Sequence, residues 1–277
     1  MTPDQYCRNK AARSGSSLYY SIRSLPPDQR RAITALHAFC REVNGVIDEC
    51  SDSGVARMKL GWWRTEIATI YDGVPQHPVA RALAAAVPRF RIAAPRLNAI
   101  IDGMESDLDC ERYADFDALT RYCYHVAGTA SIVCAEIAGY RDAATLRYAA
   151  ELGIALRLTA IIRDVGKDAR RGRVYLPQDD LARFGVTERD ILELSESERF
   201  TRLMQFQIER TATRYQQAVA ALPAIDHKAQ RAGLALAAIQ RTLLHEIAVD
   251  GCHVLTRRTA LTPLRKLWIA WKTRIQN

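Results

Sequence analysis

The 277-residue sequence predicts an all-α protein. Apolar residues recur at three- and four-residue steps almost throughout, the spacing of one helix face, and Pro and Gly punctuate these stretches. No run longer than a few residues alternates apolar and polar side chains as a half-buried strand would. The length suffices for one large core, so the expectation is a single domain over 1–277, with 261–277 set apart as a segment suited to a membrane surface.

In chain order, Pro26, Pro27 and Asp28 supply a helix start, and AITALHAFCREVNGVID carries that helix to about Asp48. A second helix runs from Ala56 to Asp72 and stops at Gly73, a residue type that tolerates the backbone of a helix end. The same periodicity predicts helices over Pro78 to Arg91, Pro95 to Cys110, Phe116 to Ala138, Ala143 to about Ala169, Ser197 to Leu222 and His227 to Val249, with a short one at Leu264 to Thr273. GRVYLPQDDLARFGV, Gly172 to Val186, reads as the one long irregular connection, and connections of that length in compact domains often carry function.

Composition narrows the function. With 48% hydrophobic and 25% charged residues the chain resembles a soluble globular protein, and no uninterrupted apolar run approaches the ~20 residues of a membrane span. The start, MTPDQYCRNK, lacks the apolar core and cleavage site of a secretory signal, which argues for a cytoplasmic location. Seven cysteines (Cys7, Cys40, Cys50, Cys110, Cys123, Cys134 and Cys252) are scattered, with no pair at the two-residue gap of a zinc or redox motif, so they read as reduced core residues. A net charge of +8 suits nucleic acid, anionic lipid or a polyanionic small substrate. The absence of zinc-finger spacing, of an aromatic-rich RNA signature and of a basic arm argues against nucleic acid.

Four stretches carry chemistry. In REVNGVIDECSD, Asn44, Asp48 and Asp52 stand at four-residue steps and would stack on one helix face, where they could hold a hard cation. In IIRDVGKDARRGR, Asp164 and Asp168 share a face amid Arg163, Lys167, Arg170, Arg171 and Arg173. Mg²⁺ takes one or two protein carboxylates and fills its shell with water and phosphate oxygens, so this pair suits a phosphate-bridged ion that the arginines also grip. A solvated helix end with Asp–Arg pairs has the same pattern, but the apolar LGIALRLTAII upstream makes the element a buried one. SGSSLYY, Ser14 to Tyr20, offers hydroxyls near a Gly for phosphate, or is simply a loop. RYCYHVAGTAS, Arg121 to Ser131, puts small residues after an aromatic cluster, either for close ligand approach or for helix packing.

Taken together, SGSSLYY, LPPDQRRAITALHAFCREV, YCYHVAGTAS, RDVGKDARRGRVYLP and the terminal LTPLRKLWIAWK resemble the squalene and phytoene synthases, in this order and over nearly the whole chain. The pattern is most similar to the bacterial presqualene diphosphate synthases of hopanoid biosynthesis. The resemblance implies an isoprenoid synthase fold with a central cavity between two facing aspartate-rich helices. It also implies farnesyl diphosphate as substrate, Mg²⁺ as cofactor, and downstream enzymes of squalene or hopanoid synthesis as partners. Its second aspartate motif falls on Asp164 and Asp168 with Arg163 beside them, its diphosphate contacts on Ser17 and Arg41 with Arg173 as a further one, and its active-site Tyr on Tyr124. Asp48 is the retained last residue of the first aspartate motif, so the implied metal ligands are Asp48, Asp164 and Asp168.

The chain departs from that pattern. Two adjacent aspartates normally open the first motif, where this sequence has Asn44 and Gly45; Asp52 is the nearest replacement, displaced by a turn of about 5.4 Å. Arg157 and Ala160 stand where Gln and Asn are usual, and Gln240 where Tyr is usual. The expected reaction is condensation of two farnesyl diphosphates to presqualene diphosphate; the alternatives are a weakened paralogue that binds prenyl diphosphate or supports a partner synthase, and a member making dehydrosqualene, squalene or phytoene. At the C-terminus, Leu264, Leu267, Trp268 and Trp271 with Arg265, Lys266, Lys272 and Arg274 suit either a helix lying on an anionic membrane, such as the inner face of the plasma membrane, or a final helix closing the core.

Overall fold

The computed structural model describes residues 1–13, 16–50, 52–109 and 112–276; 77% of the described residues are helical, and none of them is in a strand. The helices are α1 (Pro3–Arg13), α2 (Ser17–Ser21), α3 (Pro27–Glu49), α4 (Ser53–Asp72), α5 (Pro78–Phe90), α6 (Ala94–Glu105), α7 (Phe116–Cys123), α8 (Thr129–Ala138), α9 (Ala144–Ala169), α10 (Gln178–Phe184), α11 (Glu188–Leu192), α12 (Glu198–Ala220), α13 (Arg231–Val249) and α14 (Pro263–Gln276). Helices α1, α2 and α11 are absent from the periodicity reading, because α2 and α11 have five residues each and α1 is dominated by polar side chains. The stretch Gly172 to Val186 is not a long loop: α10 occupies its centre and ends at Gly185, which adopts the left-handed φ of +65°. Asp180 of α10 is buried and accepts hydrogen bonds from Gln207 (2.8 Å) and Arg210 of α12, which anchors the short helix.

Local chemistry corrects two further expectations. Helix α3 stops at Glu49, Cys50 is extended (φ −91°, ψ 123°), and Asp52 becomes the N-cap of α4, its carboxylate accepting the Val55 N–H at 2.8 Å. Asp52 is therefore off the Asn44–Asp48 face and committed to satisfying a helix terminus. The segment Phe116 to Ala138 is a helix interrupted by a π turn, Tyr124–Gly128.

Helix α9 is the axis of the structure. Residues on every side of it are buried, from Tyr148 and Leu152 through Leu158 and Ile162 to Val165, and α8, α12, α13 and the π turn pack around it. Two glycines let other backbone come unusually close. A Cβ on Gly153 would lie 2.5 Å from the Ala127 carbonyl oxygen in the π turn, and a Cβ on Gly166 would lie 2.0 Å from the Leu255 carbonyl oxygen. The π turn is gripped from its other side by Gly103 of α6, whose Cβ would meet His125 backbone at 2.7 Å. Helix α13 has the length and composition of a membrane span, with a mean hydropathy of 1.2, but half of that apolar window is buried in the bundle.

Gly153→Ala and Gly166→Ala are each expected to cost about 1–3 kcal/mol in urea denaturation, because backbone must move to admit the methyl. Gly61→Ala, on the exposed face of α4 with nothing within 4 Å, is expected to gain up to about 1 kcal/mol. Unchanged midpoints for the two α9 variants would show that those contacts can relax.

Candidate active site

The C-terminal turns of α3 and α9 face each other and bring together Asp48, Asp164 and Asp168. Asp48 accepts Asn44 Nδ2 at 3.1 Å and pairs with Arg171 at 2.8 Å, with Lys167 and Arg173 close by at 3.9 and 4.0 Å. Asp164 is gripped by Arg163 on its own helix and by Arg258 (2.7 Å) from the segment between α13 and α14. That segment docks on α9 because Gly166 is bare: the Gly166 N–H donates to Val254 (3.2 Å), and Arg170 Nη2 to the Leu255 carbonyl (3.3 Å). Asp168 makes no side-chain hydrogen bond or ion pair among the described residues.

The two α9 carboxylates consequently differ. Burial would raise Asp164, but the Arg163 and Arg258 hydrogen bonds outweigh it and hold its carboxyl at about 2. Burial raises Asp168 to about 6; nearby Arg157 opposes this, while the Asp164 and Asp48 charges add to it. Three carboxylates thus share one field, and the least compensated is the one without an ion pair. This donor set fits a divalent cation that takes one or two carboxylates and completes its shell with water and phosphate oxygen. Among the described residues, no three acidic, His or Cys side chains are already gathered at metal-binding distance, because arginines occupy Asp48 and Asp164.

Three turns before Asp168, Arg157 lies over the rings of Tyr122 (5.2 Å) and Tyr175 (5.5 Å) and donates to the Tyr122 hydroxyl. Tyr113, Tyr122 and Tyr175 form a stacked cluster with centroids 5.2–6.0 Å apart. Burial opposes the Arg157 charge, yet the tyrosines and Asp107 keep it protonated, and its Nε is buried without a partner. Asp107 accepts from Tyr175 (2.7 Å) and Arg173 (3.4 Å).

Two cavities meet at His37. The first, about 340 Å³, is cationic: Ser17, Arg41, Arg163, Arg258 and Lys266 line it together with Gln240. Arg41 has no ion-pair partner among the described residues. Lys266 is lowered by burial and then by the charges of Arg163 and Arg258, the two arginines that grip Asp164. The second cavity, about 220 Å³, is apolar, running past Leu36, Val126, Ala130, Leu152 and Leu156 to Tyr148 and Gly233. His37 lines both; burial, then Arg41, lowers it to about 4, and its Nε2 is buried without a hydrogen-bond partner.

Ser17, Arg41 and Arg163 therefore converge on one cavity, while Ser14 of the same motif lies outside the described residues. Arg173 does not join them: it turns to Asp107 and to the Ile47 carbonyl (3.5 Å), held by a buried carboxylate rather than offered to phosphate. Tyr124 lines neither of these two cavities: the residue is 38% exposed with its ring over Gly128, and the tyrosine whose hydroxyl reaches Arg157 is Tyr122. Tyr124 opens the π turn Tyr124–Gly128. His37 was legible in principle, one turn before Arg41 on the same face. Arg258 sits in irregular chain and gave no signal.

Facing acidic helix ends, a cationic cavity and an apolar cavity that share His37 are the features of an all-α protein suited to an amphiphilic, polyanionic ligand. The squalene/phytoene synthase family profile matches residues 11–265, and the chain belongs to that family, whose members are prenyltransferases acting on prenyl diphosphates. It is 33% identical over 267 residues to phytoene synthase 2, chloroplastic, of Solanum lycopersicum, spanning 94% of this chain and 86% of that protein. In fold it is similar to a dehydrosqualene synthase crystallised with ligand (TM-score 0.89, 24% identity, 99% of this chain and 96% of that one). It is also similar to squalene synthase HpnC of Alicyclobacillus acidocaldarius (TM-score 0.77, 22% identity, 90% and 94%).

The two carboxylates should respond oppositely to neutralisation. Asp168 titrates at about 6 against an ordinary 3.8, so its cost to the fold appears as pH rises from about 4 to about 6; Asp164, held at about 2, stabilises above about 4 and loses this as pH falls towards 2. At pH 7.5 without metal, Asp168→Asn is expected to raise the thermal midpoint by a few degrees and Asp164→Asn to lower it, each on the order of 1–3 kcal/mol. The reverse order would show that the ion pairs do not set these carboxylates.

Proposed function

We propose that the protein joins two farnesyl diphosphates head to head into presqualene diphosphate, releasing pyrophosphate. The observation that supports this is the meeting, at His37, of a cationic pocket with an apolar cavity, which suits a substrate that is a diphosphate at one end and a hydrocarbon chain at the other. Arg41, Arg163, Arg258 and Lys266 would hold the diphosphate, with the Ser17 hydroxyl donating to it. A Mg²⁺ ion bound at Asp168 with Asp164 or Asp48 would supply Lewis-acid charge withdrawal from the leaving group. The apolar walls exclude water from the allylic cation left when the C–O bond breaks. The double bond of the second prenyl chain attacks that cation, and loss of a proton closes the cyclopropane. His37 Nε2, neutral and unpartnered at the junction, is the base nearest to both cavities; the Tyr122 hydroxyl is already engaged by Arg157.

A second reading, a protein that binds prenyl diphosphate with little turnover, is favoured by Asn44, Gly45 and Arg157. The first two remove carboxylates from the α3 face, and the third sets a permanent cation over tyrosine faces that could otherwise stabilise a carbocation. The same relatives leave dehydrosqualene, squalene and phytoene as other products. Supply of downstream squalene or hopanoid enzymes belongs to the same proposal.

Purified protein incubated with farnesyl diphosphate and Mg²⁺ is expected to release pyrophosphate and yield a thirty-carbon cyclopropyl diphosphate, and Asp168→Asn to reduce this by about a hundredfold or more. Substrate binding without pyrophosphate release would establish the second reading instead. Asn44→Asp combined with Gly45→Asp is expected to lower the Mg²⁺ concentration needed for half-maximal activity. There is room for it, because the nearest atom to a Cβ on Gly45 is Glu49 Oε1 at 3.7 Å. An unchanged Mg²⁺ titration would mean that this face contributes no ligand.

A further inference from the structure

Helix α14 is amphipathic in an inverted sense: its large apolar side chains point away from the protein. Leu264, Trp268, Trp271 and Ile275 are 79%, 56%, 60% and 64% exposed. At 3.6 residues per turn these four positions fall within roughly 60° of arc, a single stripe. The opposite side docks on the bundle through buried Ile269, with Ala270 half-buried beside it. Leu267, which the sequence pattern had assigned to the apolar stripe, lies off it and is half-buried.

The flanks of the stripe are basic. Lys272 falls on one side, together with Arg265, which pairs with Glu246 of α13 at 2.6 Å, and Arg274 on the other, and α14 contains no acidic residue. Lys272 Nζ lies 5.3 Å from the Trp268 ring centroid, so charge and indole share one edge. Arg274 has no ion-pair partner among the described residues. Such an arrangement is costly in water, where contiguous exposed indole and aliphatic area gains nothing. It matches the boundary of an anionic bilayer, where indole and aliphatic groups enter the acyl edge and flanking lysine and arginine meet headgroup phosphate. The helix also begins at the rim of the cationic pocket, to which it contributes Lys266, with Leu261 just before it.

We propose that α14 is a membrane-docking helix that seats the protein on an anionic lipid surface through Leu264, Trp268, Trp271 and Ile275, with the pocket mouth beside the bilayer. The core-closing alternative does not fit, because both tryptophans point outward. The docking stands on the surface of α14 alone and is independent of the reaction catalysed.

The test is flotation of the full-length protein with phosphatidylcholine vesicles, with and without phosphatidylglycerol, at low and high salt. Binding to the anionic vesicles, weakened by salt and reduced about tenfold or more in Trp268→Ser/Trp271→Ser, is the expected result. Quenching of wild-type tryptophan fluorescence by brominated acyl chains reads insertion without any variant, and Lys272→Glu/Arg274→Glu should weaken binding while leaving the apolar stripe intact. The proposal is overturned by equal binding to neutral vesicles, by no brominated-lipid quenching, or by a stripe that instead closes a dimer, seen as a molecular mass that halves in the tryptophan variant without vesicle binding.

Discussion

Close backbone approach to α9 is the constraint on which the rest of the structure depends. At Gly153 the π turn comes so near that a methyl group would overlap the Ala127 carbonyl, and at Gly166 the segment before α14 does the same through Leu255. The first contact sets the wall of the apolar cavity, since Val126 and Ala127 belong to that turn. The second brings Arg258 onto Asp164 and so decides which carboxylate of the pair is neutralised by protein. One helix therefore lines both the apolar cavity and the cationic one, and its small residues are where the neighbouring segments are brought into register.

The charged end is a division of labour among like groups. Asp164 spends its charge on two arginines, Asp48 on Arg171, and Asp168 is left with a raised affinity for a proton. A buried carboxylate without a counter-ion is costly, and such a cost is retained where an exogenous cation offsets it. Three turns back on the same face, Arg157 is charged, half-buried and stacked on tyrosine. Charge along this face of α9 thus runs from anionic at the helix end to cationic at the tyrosine cluster, across the length of about three turns.

How well the sequence could be read varied with the physics behind each feature. Asp164 and Asp168 were legible because a four-residue spacing on a strongly apolar helix forces both onto one face near its end. Ser17, Arg41 and Arg163 were legible only through the combined motifs, since nothing local says that three separate helices meet. Asp52 was misread because spacing cannot reveal where a helix stops, and an extended Cys50 turned a candidate ligand into a cap. Tyr124 was named through the family resemblance alone, and nothing in the local spacing marks the π turn that it opens.

By itself the sequence determined the all-α class, the principal helices, the acidic pair on α9 and the basic, tryptophan-bearing character of the terminal helix, because these depend on periodicity and composition, which act within a few turns of chain. Tertiary structure alone decided that Arg173 reaches Asp107, that Tyr122 meets Arg157, that His37 lines both cavities, that Arg258 reaches Asp164, and that the tryptophans of α14 face outward. Each of those depends on which surface of one element meets another, and that is settled by packing between residues distant in sequence.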